Sequence, residues 1–234
     1  MSQGIFGIID FAHGIDRQRE LVEIASKVFL NEPADSRCIS YASDNHYFLT
    51  MKRVCNASNL QQNDIAINNE RQVICLIHGE INNSQDLLKD LSPADRNSGR
   101  DLDLLVHLYW RHGSEFVKKL NGLFSLAILD QRDSSFFLLN DRFGLAHQVY
   151  WAQIGNRFYF ATHLKALLAL PEFKREIDFE GLNLFLKYSY IPSPWTIFKG
   201  IQKLPPGHLL TFKKGNVEVS PYWGFPSSNN HVGD

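Results

Sequence analysis

The sequence predicts an α+β fold built on two antiparallel sheets, and three observations lead there. Runs of branched and aromatic residues of strand length recur along the chain, bounded by Gly, Asn, Asp or Ser. Two pairs of these runs are joined by short turn-forming links, the mark of hairpins. Helical periodicity is confined to a few stretches, which fits helices laid on a double sheet and not alternating parallel units.

Ile5, Phe6, Gly7, Ile8 and Ile9 form the first strand candidate, followed by Arg37 to Ala42, His46 to Val54 and Gln72 to Ile77. Leu102, Leu105, Val106, Leu108 and Tyr109 then recur at helical spacing, with Ser98 and Asp101 ahead of them in a capping-box-like relation. Strands at Leu123 to Leu129 and Phe136 to Leu139 are linked by Asp130-Gln131-Arg132-Asp133-Ser134. Gly155-Asn156 links Val149-Tyr150-Trp151 to Arg157 to Ala161 in the same way. Leu164, Leu167 and Leu168 mark a short helix stopped by Pro171. Phe179, Leu182, Phe185 and Leu186 mark another, ending before Ile191-Pro192. After Pro205-Pro206-Gly207 come two short strands, Leu209 to Phe212 and Val217 to Val219. Residues 224–234 read as a polar tail or the start of a linker. An ending on Tyr222-Trp223 and a polar tail raises the expectation of a following domain.

Composition narrows the function classes. The 234 residues carry 24 Lys+Arg against 25 Asp+Glu, a net charge of -1, so the clustered basic excess that nucleic-acid binding needs is missing. No apolar run reaches the roughly 20 residues of a membrane span, and no basic segment with a hydrophobic stretch opens the chain as a secretory signal would. Hydrophobic residues make up 44% and include 17 Phe, ample for a large core. Cys38, Cys55 and Cys75 sit in or beside strand-like segments as small apolar residues of a reducing compartment, and the expected location is the cytoplasm. The histidines are scattered, with His107 and His112 five apart and so not on one helix face, and no metal site is expected. No Gly-rich phosphate loop precedes a helix, so no ATP site is expected in this segment.

Several stretches resemble the class II glutamine amidotransferases. Gln3-Gly4-Ile5-Phe6-Gly7 is similar to their opening Cys-Gly-Ile-Phe-Gly, and His78-Gly79-Glu80-Ile81-Asn82-Asn83 to their Asn-Gly-Glu-Ile-Tyr-Asn. Asp101-Leu102-Asp103 with His107-Leu108-Tyr109 resembles their Ser-Asp-Thr-Glu segment and the helix after it. The run from Leu120 to Asp130, then Asp141-Arg142-Phe143-Gly144, resembles Leu-Asn-Gly-Met-Phe-Ala-Phe…Asp and Arg-Asp-Arg-Phe-Gly. The stretch from Thr196 to His208, with Tyr222-Trp223, is similar to a segment of the asparagine synthetase branch. The resemblance keeps register over residues 4–223, which it identifies as one glutaminase-like domain. It implies a four-layer αββα sandwich of the N-terminal-nucleophile type. It also implies glutamine or a related amino acid as ligand, and a C-terminal ATP-dependent synthetase domain as partner, with ATP and Mg confined to that domain.

The same resemblance assigns roles, and several are vacated. In the family an N-terminal Cys thiol attacks the glutamine amide with its own α-amine as base, and here that position is Gln3, a carboxamide whose nitrogen lies in a peptide bond. No catalytic residue is therefore assigned. Ser2, after loss of Met1, would pair a hydroxyl with a free α-amine, but one residue out of place, which on a strand reverses the side chain's face. His78 occupies the position of the oxyanion-holding Asn, and its plain alternative is a polar residue capping a strand end. Gly79 would lend its backbone N–H to the same oxyanion, or is a turn glycine at the close of a strand. Glu80 would sit beside the substrate's amino group, or is an exposed loop acid. Arg53 matches the clamp on the substrate α-carboxylate, with a surface arginine as the alternative. Asp101 matches the acceptor of the α-ammonium and equally suits the first turn of a helix. The family's His-Arg-Gly-Pro-Asp loop has no counterpart near Lys27 to Asp35, and Ala146-His147 stands where Lys-Pro would follow Arg-Phe-Gly. Three functions stay open: a catalytically inactive glutaminase-like domain of an asparagine synthetase-type protein, an amidohydrolase using Ser2, and an amino-acid-binding sensor module.

Overall fold

The structure is a computed structural model that describes residues 4–15, 37–44, 46–54, 65–68, 70, 72–92 and 101–225. Ser2, Gln3, Cys55, Ser98, the segment from Lys27 to Asp35 and the end of the tail lie outside them. Among the described residues, twelve strands make two six-stranded sheets. The first holds β1 (Gly4–Ile9), β2 (Arg37–Asp44), β3 (Tyr47–Val54), β8 (Tyr150–Ile154), β9 (Arg157–Ala161) and β10 (Gln202–Lys203), in the order β10-β8-β9-β1-β3-β2. The second holds β4 (Ile65–Asn68), β5 (Val73–Ile81), β6 (Gly122–Asp130), β7 (Ser135–Asn140), β11 (His208–Lys213) and β12 (Asn216–Pro221), in the order β12-β11-β7-β6-β5-β4. Every ladder is antiparallel, and both expected hairpins, β6–β7 and β8–β9, form.

Period-two alternation sorts the side chains into layers. Ile5, Ile9, Leu76, Leu129, Phe136, Phe158 and Phe160 point between the sheets. The opposite residues of β5 and β6, among them Cys75, Ile77, Leu126 and Ile128, face α2 (Asp101–His112) through Leu105 and Leu108. On the first sheet, Phe6, Ile8 and Tyr159 face α3 (Leu164–Leu168) through Ala166 and Leu167. Helix, sheet, sheet and helix are thus stacked in four layers around three apolar clusters, with β1 buried along its whole length. Each fully buried Phe contributes about 1.5–3 kcal/mol of transfer free energy. Tyr109 on α2 donates to Asp130 Oδ2 at 2.9 Å, pinning the helix to the end of β6.

The sequence reading differs from this fold in several places. β5 does not stop at Ile77 but runs on to Ile81, so His78 and Gly79 lie within a paired strand and not at its close. β4 and β10 were not expected, being four and two residues long. Neither were α1 (Ser84–Lys89) and the 3-10 turn at Gly113–Lys119. α4 (Phe179–Tyr188) forms as expected and is capped by Asp178, whose carboxylate accepts from Gly181 N at 2.9 Å, but its apolar stripe is not covered: Phe179 is 74% and Leu186 73% exposed. Among the described residues no helix is long and apolar enough to cross a membrane.

Candidate functional site

The C-terminal half of β5 carries His78, Gly79 and Glu80 to one end of the sandwich. Gly79 has φ +112, and a Cβ there would run into the Leu123 carbonyl oxygen of β6. Only glycine combines that backbone conformation with that close approach. The segment after the strand is held by Asn83, whose side chain accepts from Asn121 N at 2.9 Å and donates to Lys119 O at 2.9 Å. The Leu120-Asn121-Gly122 run and the His78-to-Asn83 run therefore brace each other.

A second segment comes from the loop after β7. Asp141 is buried, and its carboxylate accepts from Phe143 N at 3.0 Å, Leu145 N at 3.1 Å and Ala146 N at 3.0 Å. Those three bonds fold the Asp141-to-Gly144 motif back on itself and deliver Ala146 and His147 to the end of β5. Between the two segments lies an open cleft of about 360 Å³, lined by His78, Gly79, Glu80 and Asn82 and by Leu123, Leu145, Ala146 and His147.

The third segment is where β1 begins beside the end of β9. Ile5 N donates to Thr162 Oγ1 at 3.1 Å, and Thr162 Oγ1 is hydrogen-bonded to His163 Nδ1 at 3.2 Å. A Cβ at Gly4 would meet Thr162 Oγ1 and the His163 ring. The His163 ring centroid is 6.2 Å from that of His147, which is 4.3 Å from that of His78. Three imidazoles thus bridge the two sheets at the end where the chain enters β1. Burial, reinforced by His147 and His163, pushes His78 down to about 4, and burial also lowers His147. At neutral pH His78 is an uncharged hydrogen-bonding group with no fixed positive field. Among the described residues no group of three His, Cys, Asp or Glu side chains is disposed to hold a metal ion.

Of the residues singled out in the sequence, His78, Gly79 and Glu80 come together in the cleft. Asp101 stands exposed at the first position of α2 and is not among the residues lining it. Arg53 is on β3 opposite Cys38, with its side chain outside the described part. His147 and His163 were missed. His147 had a signal, since Ala146-His147 is where the chain leaves the family pattern, but it registered only as a loss. His163 had none, because nothing in the sequence spacing relates it to position 78.

Comparison with known proteins agrees with this architecture. Residues 3–223 match the family model of the glutamine amidotransferase domain. The asparagine synthetase [glutamine-hydrolyzing] 3 of Bacillus subtilis is 32% identical over 158 residues, 66% of this chain and 26% of that protein. The asparagine synthetase [glutamine-hydrolyzing] 1 of the same organism is 25% identical over 224 residues, 94% of this chain and 34% of that protein. The chain thus spans about a quarter to a third of the length of these relatives. Among solved structures, the B. subtilis glutamine phosphoribosylpyrophosphate amidotransferase complexed with ADP and GMP superposes with a TM-score of 0.57 at 15% identity, covering 94% of this chain and 49% of that one. The structure described as the allosteric regulatory enzyme of purine biosynthesis gives 0.60 at 13%, with the same coverage. At such identities the likeness establishes the fold alone, the N-terminal-nucleophile type of αββα sandwich. A family model spanning nearly the whole sequence, relatives that are asparagine synthetases, and a matching layer order converge: the chain belongs to the glutamine amidotransferase domain family.

Proposed function

We propose that this chain is the glutaminase-like domain of an asparagine synthetase-type, amide-forming protein, and that it does not itself hydrolyse glutamine. The observation that carries the reading is Gln3, a carboxamide without a free α-amine at the position of the nucleophile, one residue ahead of β1. Thiol and base are absent together at that position, and Ser2 would stand one residue out of register with it. His78 weakens the site further, because an uncharged imidazole supplies at most one hydrogen bond where an oxyanion would develop. Amide formation elsewhere in such a protein would draw on free ammonia or on an amine within its own substrate, with ATP and Mg held by the synthetase part.

The test is a glutaminase assay on the purified chain with intact mass read on the same sample. No glutamate is expected, whatever the state of the N-terminus. Steady glutamate release from a chain lacking Met1, abolished by Ser2→Ala, would overturn the reading in favour of Ser2 as nucleophile. A second reading, an amino-acid-binding module without chemistry, is favoured by the open cleft on which His78, Gly79 and Glu80 converge. It is tested by ligand-dependent melting with glutamine as the probe.

A further inference from the structure

Three buried polar atoms without a hydrogen-bond partner stand side by side on the inner face of the second sheet. His78 of β5 is in register with Ser125 of β6, and Ser125 with Asn140 of β7, so the three side chains form one row across the strands. Opposed residues on neighbouring strands hold their Cβ atoms about 4.5–5.5 Å apart. His78 Nδ1, Ser125 Oγ and Asn140 Oδ1 are shut off from solvent and unpaired, and the residues are only 4%, 0% and 1% exposed. Buried polar atoms are nearly always satisfied. Three adjacent exceptions in one row are what a single polar network would leave, one that rotation of the Ser125 hydroxyl and an ordered water between neighbours would close.

Donation along that row has a preferred direction. Asn140 Nδ2 donates to the Leu204 carbonyl oxygen at 3.0 Å, so the group that Asn140 turns to the row is Oδ1, an acceptor. Ser125 has a single proton to give, so donating it towards Oδ1 leaves only its lone pairs for the other side, and a water that accepts from one neighbour and donates to the next keeps the same direction. With Oδ1 as the terminal acceptor, the Ser125 proton points towards Asn140 and its lone pairs towards His78. The donor at the other end is then His78 Nδ1.

We infer that Ser125 and Asn140 are positioning residues that hold His78 in the tautomer with its proton on Nδ1, leaving the Nε2 lone pair for the cleft. His78 then accepts from an N–H or O–H donor, such as an ammonium or an amide NH2, and does not donate to an oxyanion. This statement of ligand chemistry rests on the cleft being a binding site, as proposed above; the tautomer itself does not.

The experiment is a long-range 1H–15N correlation on histidine-labelled, unliganded protein at pH 7, with His78 assigned by its disappearance in His78→Asn. Nδ1 is expected at the position of a protonated ring nitrogen and Nε2 at that of an unprotonated one. Ser125→Ala should redistribute the proton between the two nitrogens, while Ser125→Thr, which keeps the hydroxyl, should restore the original pattern. A protonated Nε2 in the unmodified protein overturns the inference, and that reading needs only the assignment variant His78→Asn to fold. So does an unchanged pattern in Ser125→Ala. Because no ligand is present, failure of glutamine to bind counts against the proposed module alone, and a protonated Nε2 counts against the tautomer alone.

Discussion

Gly79 and His78 are neighbours with opposite sensitivities. At Gly79 an alanine would need φ +112 and would drive its methyl into the Leu123 carbonyl oxygen, with strand backbone and not a flexible side chain in the way. Gly79→Ala should therefore lower unfolding stability by about 2–5 kcal/mol in urea titrations, strain and overpacking combined. His78 responds to pH instead. Its folded-state pKa lies near 4 against an ordinary 6.5, so the unfolded chain binds the proton first. The stability carried by neutral His78 is fully present above about pH 6.5 and is lost as pH falls towards 4, about 3 kcal/mol in all. His78→Asn should flatten the decline of stability across that window, measured by denaturant midpoints at several pH values. The His78-Gly79-Glu80 motif was legible in the sequence, but the cluster it belongs to was not. Positions 78, 147 and 163 meet because two sheets end at the same place, and no local spacing encodes that.

Two helices with similar apolar spacing have different environments. In α2, Leu105 and Leu108 are fully buried against β4 and β5, whereas in α4 only Gly181 is buried and Phe179, Phe185 and Leu186 face solvent. Leu105→Ala should cost about 2–5 kcal/mol. The pair Phe179→Ser and Leu186→Ser should move stability by only about 0.5 kcal/mol each and reduce the binding of a hydrophobic dye, both read on one set of samples. Periodicity announced a stripe in each helix correctly. It could not announce what covers the stripe, because that depends on tertiary neighbours: α4 rests through Gly181 on the Thr196 carbonyl, which turns the stripe outward. The unexpected β4 is a different case. Its four residues are held by pairing with β5 and are too few to show a period of their own.

For the molecule as a whole, the two-sheet plan was readable because alternation and hairpin links are local signals, while the strand order was not. If glutamine occupies the cleft, ligand at 100 times its dissociation constant adds about 2.7 kcal/mol. For a chain of this length that should raise the melting temperature by about 5–10 °C by calorimetry. Strand order has a consequence of its own. β1 lies between β3 and β9, and Ile5 is bonded to Thr162, 157 residues further on. During synthesis at roughly 5–20 residues per second, β1 waits about 8–30 s for that neighbour to leave the ribosome. Throughout that interval the first strand, apolar on both faces, has an unfilled edge, so the nascent chain depends on whatever shields it until β9 arrives.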